Sequence, residues 1–382
     1  MKLTFVTHSF PPKDRPLASI GGMQRVALEL DEELARREDI EYRSLALRSS
    51  WKWVHVRTPL FLVGLVFRLR RMIRRGETDV ILFSSMVTAS LAVFLRGTLD
   101  RYGVRAAAIV HGLDVTFPNP IYQRWVPRVL RALDLVMPVS EATGEVCTAR
   151  GLDPAALRVV HNGVDVRRFE ASITDEVRES ARSYRADLPT EPGAPPPLLL
   201  ASIGRQVERK GFTWFIERVM PGLPGHIHYA MAGDGPEADA IERAIDSRGL
   251  AGRVRRLGRI SEADLLALCV AADLFVMPNI PVSGDMEGFG IVMLEAGMCG
   301  TPTIAARLEG IREVVEGGRN GYFVEPGDAD GYIRRITELD ADRDTLSRLS
   351  DSTRRHVRET FGWEKVASNY VDALRKLSAR DR

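Results

Sequence analysis

The sequence predicts an α/β protein of two doubly wound parallel-sheet domains, and three observations predict it. Short apolar runs alternate with amphipathic helical stretches in two successive sets. At 382 residues the chain is longer than one ordinary core fills, so two domains are expected. A proline-rich tract, "RADLPTEPGAPPP" over residues 185–197, separates the two sets and reads as a linker.

Taken in order, the first set places strands at "KLTFVTH", "EYRSLAL", "DVILFSS", "RAAAIVH", "DLVMPVS" and "LRVVHNG", with helices such as "GMQRVALELDEELARR" between them. The second set gives "LLLASIG", "IHYAMAG", "RVRRLG", "DLFVMP", "TPTIAA" and "GYFVEP". The tail "FGWEKVASNYVDALRKL" is one amphipathic helix with Val366, Tyr370, Val371 and Leu374 on one side. The expected organisation is therefore a first domain over 1–184, a linker over 185–197, a second domain over 198–362 and a closing helix over 363–382.

Composition narrows the class. An apolar fraction of 45% with 27% charged residues describes a globular protein. Charge is uneven: 28 Lys and Arg face 21 Asp and Glu in residues 1–185, against 25 and 30 in residues 186–382. The basic half suits an anionic ligand or surface. Cys147, Cys269 and Cys299 lie far apart, which excludes a disulfide framework or a cysteine zinc site and fits a reducing cytosol. The uncharged run over residues 80–95 carries serines and a threonine and reads as a strand followed by a helix, not a membrane span. Residues 59–75, "PLFLVGLVFRLRRMIRR", are apolar and then basic; they fit a domain helix with a basic exposed end, or a segment resting on an anionic membrane.

In open α/β sheets ligands sit beyond the carboxyl ends of the strands, so the strand-to-helix loops carry the chemistry. The first such loop, "SFPPKDRPLASIGGMQR", is long and ends in Gly21-Gly22 at a helix start, where backbone amides can approach an anion. His111 in "IVHGLD" closes a buried strand and either donates to a substrate oxygen or caps the next loop. Arg205 and Lys210 in "ASIGRQVERKGF" flank a turn and suit a diphosphate, although such residues are common in solvated turns. "MAGDGPEADA" resembles a relaxed dinucleotide fingerprint, but the next strand, "RVRRLG", does not end in an acidic residue to hold a ribose.

The richest stretch is "MEGFGIVMLEAGMCGTP", residues 286–302. Ile291, Leu294 and Met298 form a buried helical stripe, and Glu295 falls within it, where a carboxylate needs a partner. The amides of Phe289, Gly290 and Ile291 stand at the positive end of that helix, with Glu287 just ahead of it. A nucleotide-sugar would satisfy the whole set: ribose on Glu295, diphosphate on the amides, Arg205 and Lys210, and sugar hydroxyls on Glu287. A buried carboxylate bonded to backbone or to an arginine is the plainer account of Glu295. "DAD" at 328–330 and at 340–342 reads as solvated faces, and the seven histidines show no ligand spacing.

This ordered set is similar to glycosyltransferase family 4, the retaining enzymes with an E-x7-E signature. The resemblance runs through Gly21-Gly22, "HGLD", "VVHNGVD", "GRQVERKG", "AGDGPE", "EGFGIVMLEAGMCGTPTIA" and "NGYFVEPGD". It implies the GT-B fold: two Rossmann-like domains facing a central cleft, with the last helix crossing back to the first. It further implies a UDP- or GDP-sugar donor on the second domain, and a hydroxyl acceptor on the first: a glycan, a lipid-linked sugar or a small molecule. No metal and no other cofactor are expected, and no nucleic acid partner. By position, Arg205 and Lys210 stabilise the leaving diphosphate with the amides of Phe289, Gly290 and Ile291. Glu295 holds the ribose, Glu287 meets the sugar's C3 and C4 hydroxyls, and His111 touches its reacting side. Gly21 and Gly22 approach a donor phosphate or an acceptor anion. His161 before Asn162-Gly163 departs from the family's usual proline. The expected reaction is hexosyl transfer with retention by front-face substitution, in the cytoplasm or at the inner face of the membrane. The rivals are a sugar-nucleotide epimerase on the same fold, a non-catalytic partner subunit, and a two-domain dehydrogenase.

Overall fold

Most inner strands of the two sheets are short, apolar and buried, as strands covered on both faces must be. The computed structural model describes residues 1–12, 21–49, 51–190 and 192–379. The chain divides by its own contacts into Met1–Gly163 with Trp363–Arg382, and Val164–Gly362.

The first unit contains β1 (Lys2–Phe10), α1 (Gly22–Ala35), β2 (Glu41–Arg48), α2 (Trp51–Arg74), β3 (Val80–Phe83), α3 (Met86–Ala89), α4 (Leu91–Tyr102), β4 (Arg105–Val110), α5 (Leu113–Thr116), α6 (Pro120–Arg131), β5 (Leu135–Pro138) and α7 (Glu141–Thr148). The strands pair in parallel in the order β2-β1-β3-β4-β5. Ile81, Phe83, Ala106, Ala108 and Val110 share one core cluster with Leu65 and Leu69 of α2, Leu91 and Leu95 of α4, and Val126 and Leu130 of α6. These three helices therefore cover one face of the sheet. The run over residues 80–95 is a strand followed by helices, as its serines and threonine suggest. Among the described residues no helix is long and apolar enough to cross a membrane.

The expected sixth strand, "LRVVHNG", is not one. It runs along β5, with Arg158 N donating to Val136 O at 3.0 Å and Val160 N to Pro138 O at 3.0 Å. Only Leu157 forms a bridge, so a full ladder does not develop.

The second unit contains α8 (Val166–Ser172), α9 (Asp175–Ala186), β6 (Leu198–Ile203), α10 (Phe212–Arg218), β7 (Ile227–Ala232), α11 (Ala238–Ser247), β8 (Val254–Gly258), α12 (Glu262–Ala271), β9 (Leu274–Met277), α13 (Ile291–Met298), β10 (Thr303–Ala306), β11 (Gly321–Val324), α14 (Ala329–Ala341) and α15 (Arg343–Phe361). Its six parallel strands run β11-β10-β9-β6-β7-β8. Strand order reverses between β6 and β9, which opens a crevice at their carboxyl ends.

The boundary falls earlier than the expected residue 184. Helices α8 and α9 belong to the second unit: Arg185 donates to Ala271 O at 2.8 Å and to Asp273 Oδ2 at 2.9 Å. The proline-rich tract is likewise a connection inside that unit, from α9 to β6. Arg255 donates to Asp187 O at 2.7 Å and Arg343 to Pro196 O at 3.1 Å. Its composition marks a segment without regular structure, but composition alone does not say which surface that segment follows.

The last helix, α16 (Trp363–Ala379), belongs to the first unit. Val366, Tyr370, Val371 and Leu374 are buried, as their spacing predicts. Trp363 Nε1 donates to buried Glu29 Oε2 at 2.6 Å, and Arg37 Nη1 donates to Ser368 Oγ at 2.8 Å.

Candidate active site

The reversal of strand order in the second unit brings together the loops that follow β6 and β9. From the first comes Lys210, closing a short 3-10 turn over Glu208–Lys210 and buried. From the second comes Glu287. Lys210 Nζ donates to Glu287 Oε2 at 2.6 Å, Asn279 Nδ2 approaches the same oxygen at 3.3 Å, and Arg209 Nη2 stands 3.7 Å away. Burial works against ionisation of Glu287, but the charges of Lys210 and Arg209 outweigh it and hold the carboxyl below its ordinary range. The site thus carries a fixed carboxylate among two cations. Glu309 supports it from behind by accepting the Glu287 backbone N–H at 2.5 Å. Burial raises the Glu309 carboxyl above its ordinary range.

Arg205 leads the same loop and is exposed, so its guanidinium is open to a ligand. The loop is held by Gln206, which is fully buried. Its Nε2 donates to Gly233 O at 3.0 Å, and its Oε1 accepts from Arg256 Nε at 2.9 Å. Arg256 lies on β8, in the strand where an acidic ribose partner is missing, and its role is to tie two loops together. This also explains Gly233 and Gly235. A Cβ on Gly233, which has φ +133°, would lie 1.9 Å from Gly204 O, and one on Gly235 would lie 2.3 Å from Gln206 O. The fingerprint-like glycines serve the close approach of two loops.

Helix α13 starts at Gly290, whose left-handed φ of 85° turns the chain from the loop into the helix. The Phe289 ring is core, edge-on to Phe361 at 6.0 Å between centroids, so this residue can offer a ligand only its backbone. The first N–H groups of α13 have no partner within the helix and lie at its positive end. Glu295 is buried one turn further in. An arginine does approach it: Arg168 Nη2 of α8 lies 4.0 Å from Glu295 Oε1, at the outer limit of an ion pair. Arg168 also pairs with Glu262 and lies over the Phe169 ring at 4.7 Å.

In the first unit, His111 follows β4 directly. Its backbone N–H donates to Asp114 Oδ1 at 2.9 Å, and its Nε2 lies 3.0 Å from Ser84 O. A carbonyl only accepts, so Nε2 carries the proton and Nδ1 is the basic nitrogen. Burial lowers the imidazole's affinity for a second proton, against the pull of Asp114, and keeps the ring neutral. Gly21 caps α1, its N–H donating to Gln24 Oε1 at 2.8 Å, and Gly22 begins the helix. Most of the expected ligand-facing loop before them, residues 13–20, lies outside the described residues.

The structure brings Lys210 and Glu287 together directly, with Arg205 and the start of α13 on loops of the same strand edge. Arg209, Asn279, Asp285 and Glu309, which sequence reasoning missed, complete the surroundings of Glu287; Arg209 Nε lies 3.4 Å from Asp285 Oδ1. Arg209 was legible as a third cation in the "VERKG" loop. The "DAD" segments are structural. Asp328 and Asp342 cap α14 and α15, and Asp340 accepts from His226 at 2.8 Å. Among the described residues no group of three or more His, Cys, Asp or Glu is placed to hold a metal ion.

Two family models match in succession: one described as Glycosyltransferase Family 4 over residues 20–168, and one described as Glycosyl transferases group 1 over residues 197–342. A GDP-mannose-dependent alpha-(1-6)-phosphatidylinositol monomannoside mannosyltransferase of Mycolicibacterium smegmatis is 27% identical, over 97% of this chain and 98% of its own. N-acetyl-alpha-D-glucosaminyl L-malate synthase of Bacillus anthracis is 24% identical, over 92% of this chain and 93% of its own. Among solved structures, Anabaena HepE in complex with UDP superposes with a TM-score of 0.73 at 18% identity, over 98% of this chain and all of the other. The catalytic domain of starch synthase IV from Arabidopsis thaliana, bound to ADP and acarbose, reaches 0.74 at 16% identity, over 99% of each chain. The fold is therefore GT-B, and with both domain models matched in order along most of its length the chain belongs to glycosyltransferase family 4.

Proposed function

We propose that this protein transfers a hexose from a UDP- or GDP-sugar to a hydroxyl acceptor with retention of configuration and without a metal ion. The observation that carries the reading is the Lys210–Glu287 pair at the strand reversal, with exposed Arg205 ahead of it and the positive end of α13 beside it. In this reading the diphosphate lies on Arg205, Lys210 and the amides of Phe289, Gly290 and Ile291. Glu295 takes the ribose hydroxyls, and Glu287, held ionised, accepts from the C3 and C4 hydroxyls of the sugar. The family resemblance gives His111, neutral with Nδ1 as acceptor, the reacting side of the transferred sugar, and Gly21 and Gly22 the donor phosphate or an acceptor anion. Relatives named for GDP-mannose and neighbours holding UDP support a nucleotide-sugar donor without choosing the base.

The acceptor oxygen forms a bond to the anomeric carbon as the bond from that carbon to the diphosphate oxygen breaks. The departing phosphate oxygen takes the acceptor's proton, leaving a glycoside and a nucleoside diphosphate. Catalysis rests on leaving-group stabilisation and positioning. The acceptor is a glycan, a lipid-linked sugar or a small molecule, met in the cytoplasm or at an anionic membrane. Thermal-shift screening against UDP-, GDP- and ADP-sugars tests the reading. Stabilisation by a UDP or GDP compound supports it, and no response to any nucleotide sugar sinks it. Proton NMR of the glycoside then reads the anomeric configuration; inversion would overturn the retaining mechanism.

A further inference from the structure

We propose that Glu309 is a positioning residue for donor-sugar discrimination: from a left-handed turn after β10 it fixes the main chain of Glu287, and with it the one carboxylate oxygen left to meet a sugar hydroxyl. The inference rests on the reading above, in which Glu287 accepts from the C3 and C4 hydroxyls. Among the described residues Glu309 is the single non-glycine with a positive φ, at 46°. A side chain holds that conformation at a cost, and it persists only where the surroundings enforce it, typically around a functional site. Here the surroundings do. Glu309 opens a short 3-10 turn over Glu309–Glu313, in which Ile311 N donates to Leu308 O at 3.1 Å and Arg312 Nε to Glu309 O at 3.2 Å. Ile311 is fully buried, and a Cβ on Gly310 would lie 2.0 Å from Gly288 O. The turn cannot relax without parting two loops of the site.

The strained turn aims two groups at one residue. Glu309 Oε2 accepts the Glu287 N–H at 2.5 Å, and Gly310 N donates to Glu287 O at 3.3 Å. Both main-chain polar groups of Glu287 are therefore held by the loop after β10. Its side chain is held from the other loops, and through one oxygen only. Lys210 Nζ at 2.6 Å, Asn279 Nδ2 at 3.3 Å and Arg209 Nη2 at 3.7 Å all approach Oε2. Among the described residues no group engages Oε1, which leaves that atom to accept a hydroxyl. Where Oε1 points follows from where the Glu287 main chain stands, and the two bonds from Glu309 and Gly310 set that place. A buried acceptor fixed in this way rejects the sugar that lacks the matching hydroxyl. The charge of Glu309 is not what the position uses. Burial raises its carboxyl, and the Glu287 and Asp285 carboxylates push the same way, against the bond from the Glu287 N–H and the charge of Arg209. An uncharged oxygen in the same place would serve.

The test is calorimetric titration of the full chain with UDP, GDP, UDP-glucose, GDP-mannose and the 3-deoxy and 4-deoxy analogues of the two sugars' conjugates. For the donor that binds, loss of a hydroxyl should weaken wild-type binding about tenfold or more. Glu309→Gly removes the oxygen while glycine keeps the left-handed backbone without strain, and it should lower this discrimination at least about fivefold. Glu309→Gln still offers an oxygen to the Glu287 N–H and should keep the discrimination within about twofold of wild type. UDP and GDP, which carry no sugar, should bind both variants within about twofold of wild type, and melting temperatures should stay within about 5 °C. Glu287→Ala separates the two levels of the argument. Discrimination absent from the wild type, or surviving in Glu287→Ala, would overturn the reading of Glu287 and the proposal with it. Discrimination lost in Glu287→Ala but kept in Glu309→Gly would overturn the positioning role alone. Glutamine behaving as glycine would overturn the oxygen-acceptor argument. Equal loss of nucleotide and nucleotide-sugar affinity in Glu309→Gly, with a large fall in melting temperature, would make Glu309 a tether of the fold and overturn the proposal.

Discussion

Replacing Lys210 with alanine removes one half of a buried pair and leaves a carboxylate behind. Lys210 and Glu287 side chains are 7% and 12% exposed and meet at 2.6 Å, so solvent cannot replace the lost partner. Breaking a buried pair from one side costs about 3–5 kcal/mol. Arg209 at 3.7 Å and Asn279 at 3.3 Å remain near Glu287, which places the expected cost at the lower end, about 3 kcal/mol. For a unit spanning Val164–Gly362 this corresponds to a fall in melting temperature of roughly 6–12 °C. The sign with pH is specific. In the wild type, Glu287 is held below its ordinary range, so its contribution is present above the unfolded carboxyl pKa and lost as pH falls through the lower folded value. In the variant, only Arg209 and Asn279 still offset burial, and the carboxyl titrates higher than in the wild type. The stability gap should therefore be wide at pH 8 and narrow near pH 4.5. Calorimetry of Lys210→Ala, Glu287→Gln and the double variant measures it. The double variant should regain part of the lost stability and stay inactive, which separates the structural role of the pair from its role in catalysis. A fall below about 2 °C, or a gap independent of pH, would refute the reasoning.

Arg205→Ala should leave the melting temperature unchanged because the side chain is exposed, while lowering turnover at least about a hundredfold; steady-state rates near wild type would remove its diphosphate role. Glu295→Ala should weaken UDP or GDP binding in calorimetric titration, and unchanged affinity would leave it as a structural carboxylate facing Arg168. Burial lowers the His8 imidazole to about 4 from 6.5. The neutral ring therefore supports the fold fully above pH 6.5, and this support fades as pH falls to about 4, by roughly 3 kcal/mol. His8→Gln should flatten the denaturant-midpoint profile in that window, and an unaltered profile would contradict the burial argument. Turnover should survive EDTA; loss restored by magnesium would contradict the metal-free mechanism.

Much of this was legible in the sequence because strand positions, glycine placement and apolar runs are local signals. The E-x7-E spacing placed Glu287 ahead of α13 and Glu295 within its buried side. Pairings across the fold were not legible. Nothing near Lys210 in the chain says that its partner is Glu287, or that Glu309 accepts the Glu287 N–H from a third loop. Arg168 was hidden for the same reason, since α8 reaches Glu295 only after the chain has entered the second unit. "LRVVHNG" misled because its composition suits a strand, whereas an edge segment needs a complete set of bonds to become one.

The most direct measurement is calorimetric titration of UDP and GDP into the wild type and into Arg205→Ala, with the melting temperature of each protein confirmed. Saturable binding of at least one nucleotide at one site per chain, weakened at least about tenfold by the substitution, is the predicted result. Binding of neither nucleotide, or equal affinity in both proteins, would contradict the assignment of the β6–β9 strand edge as the donor site.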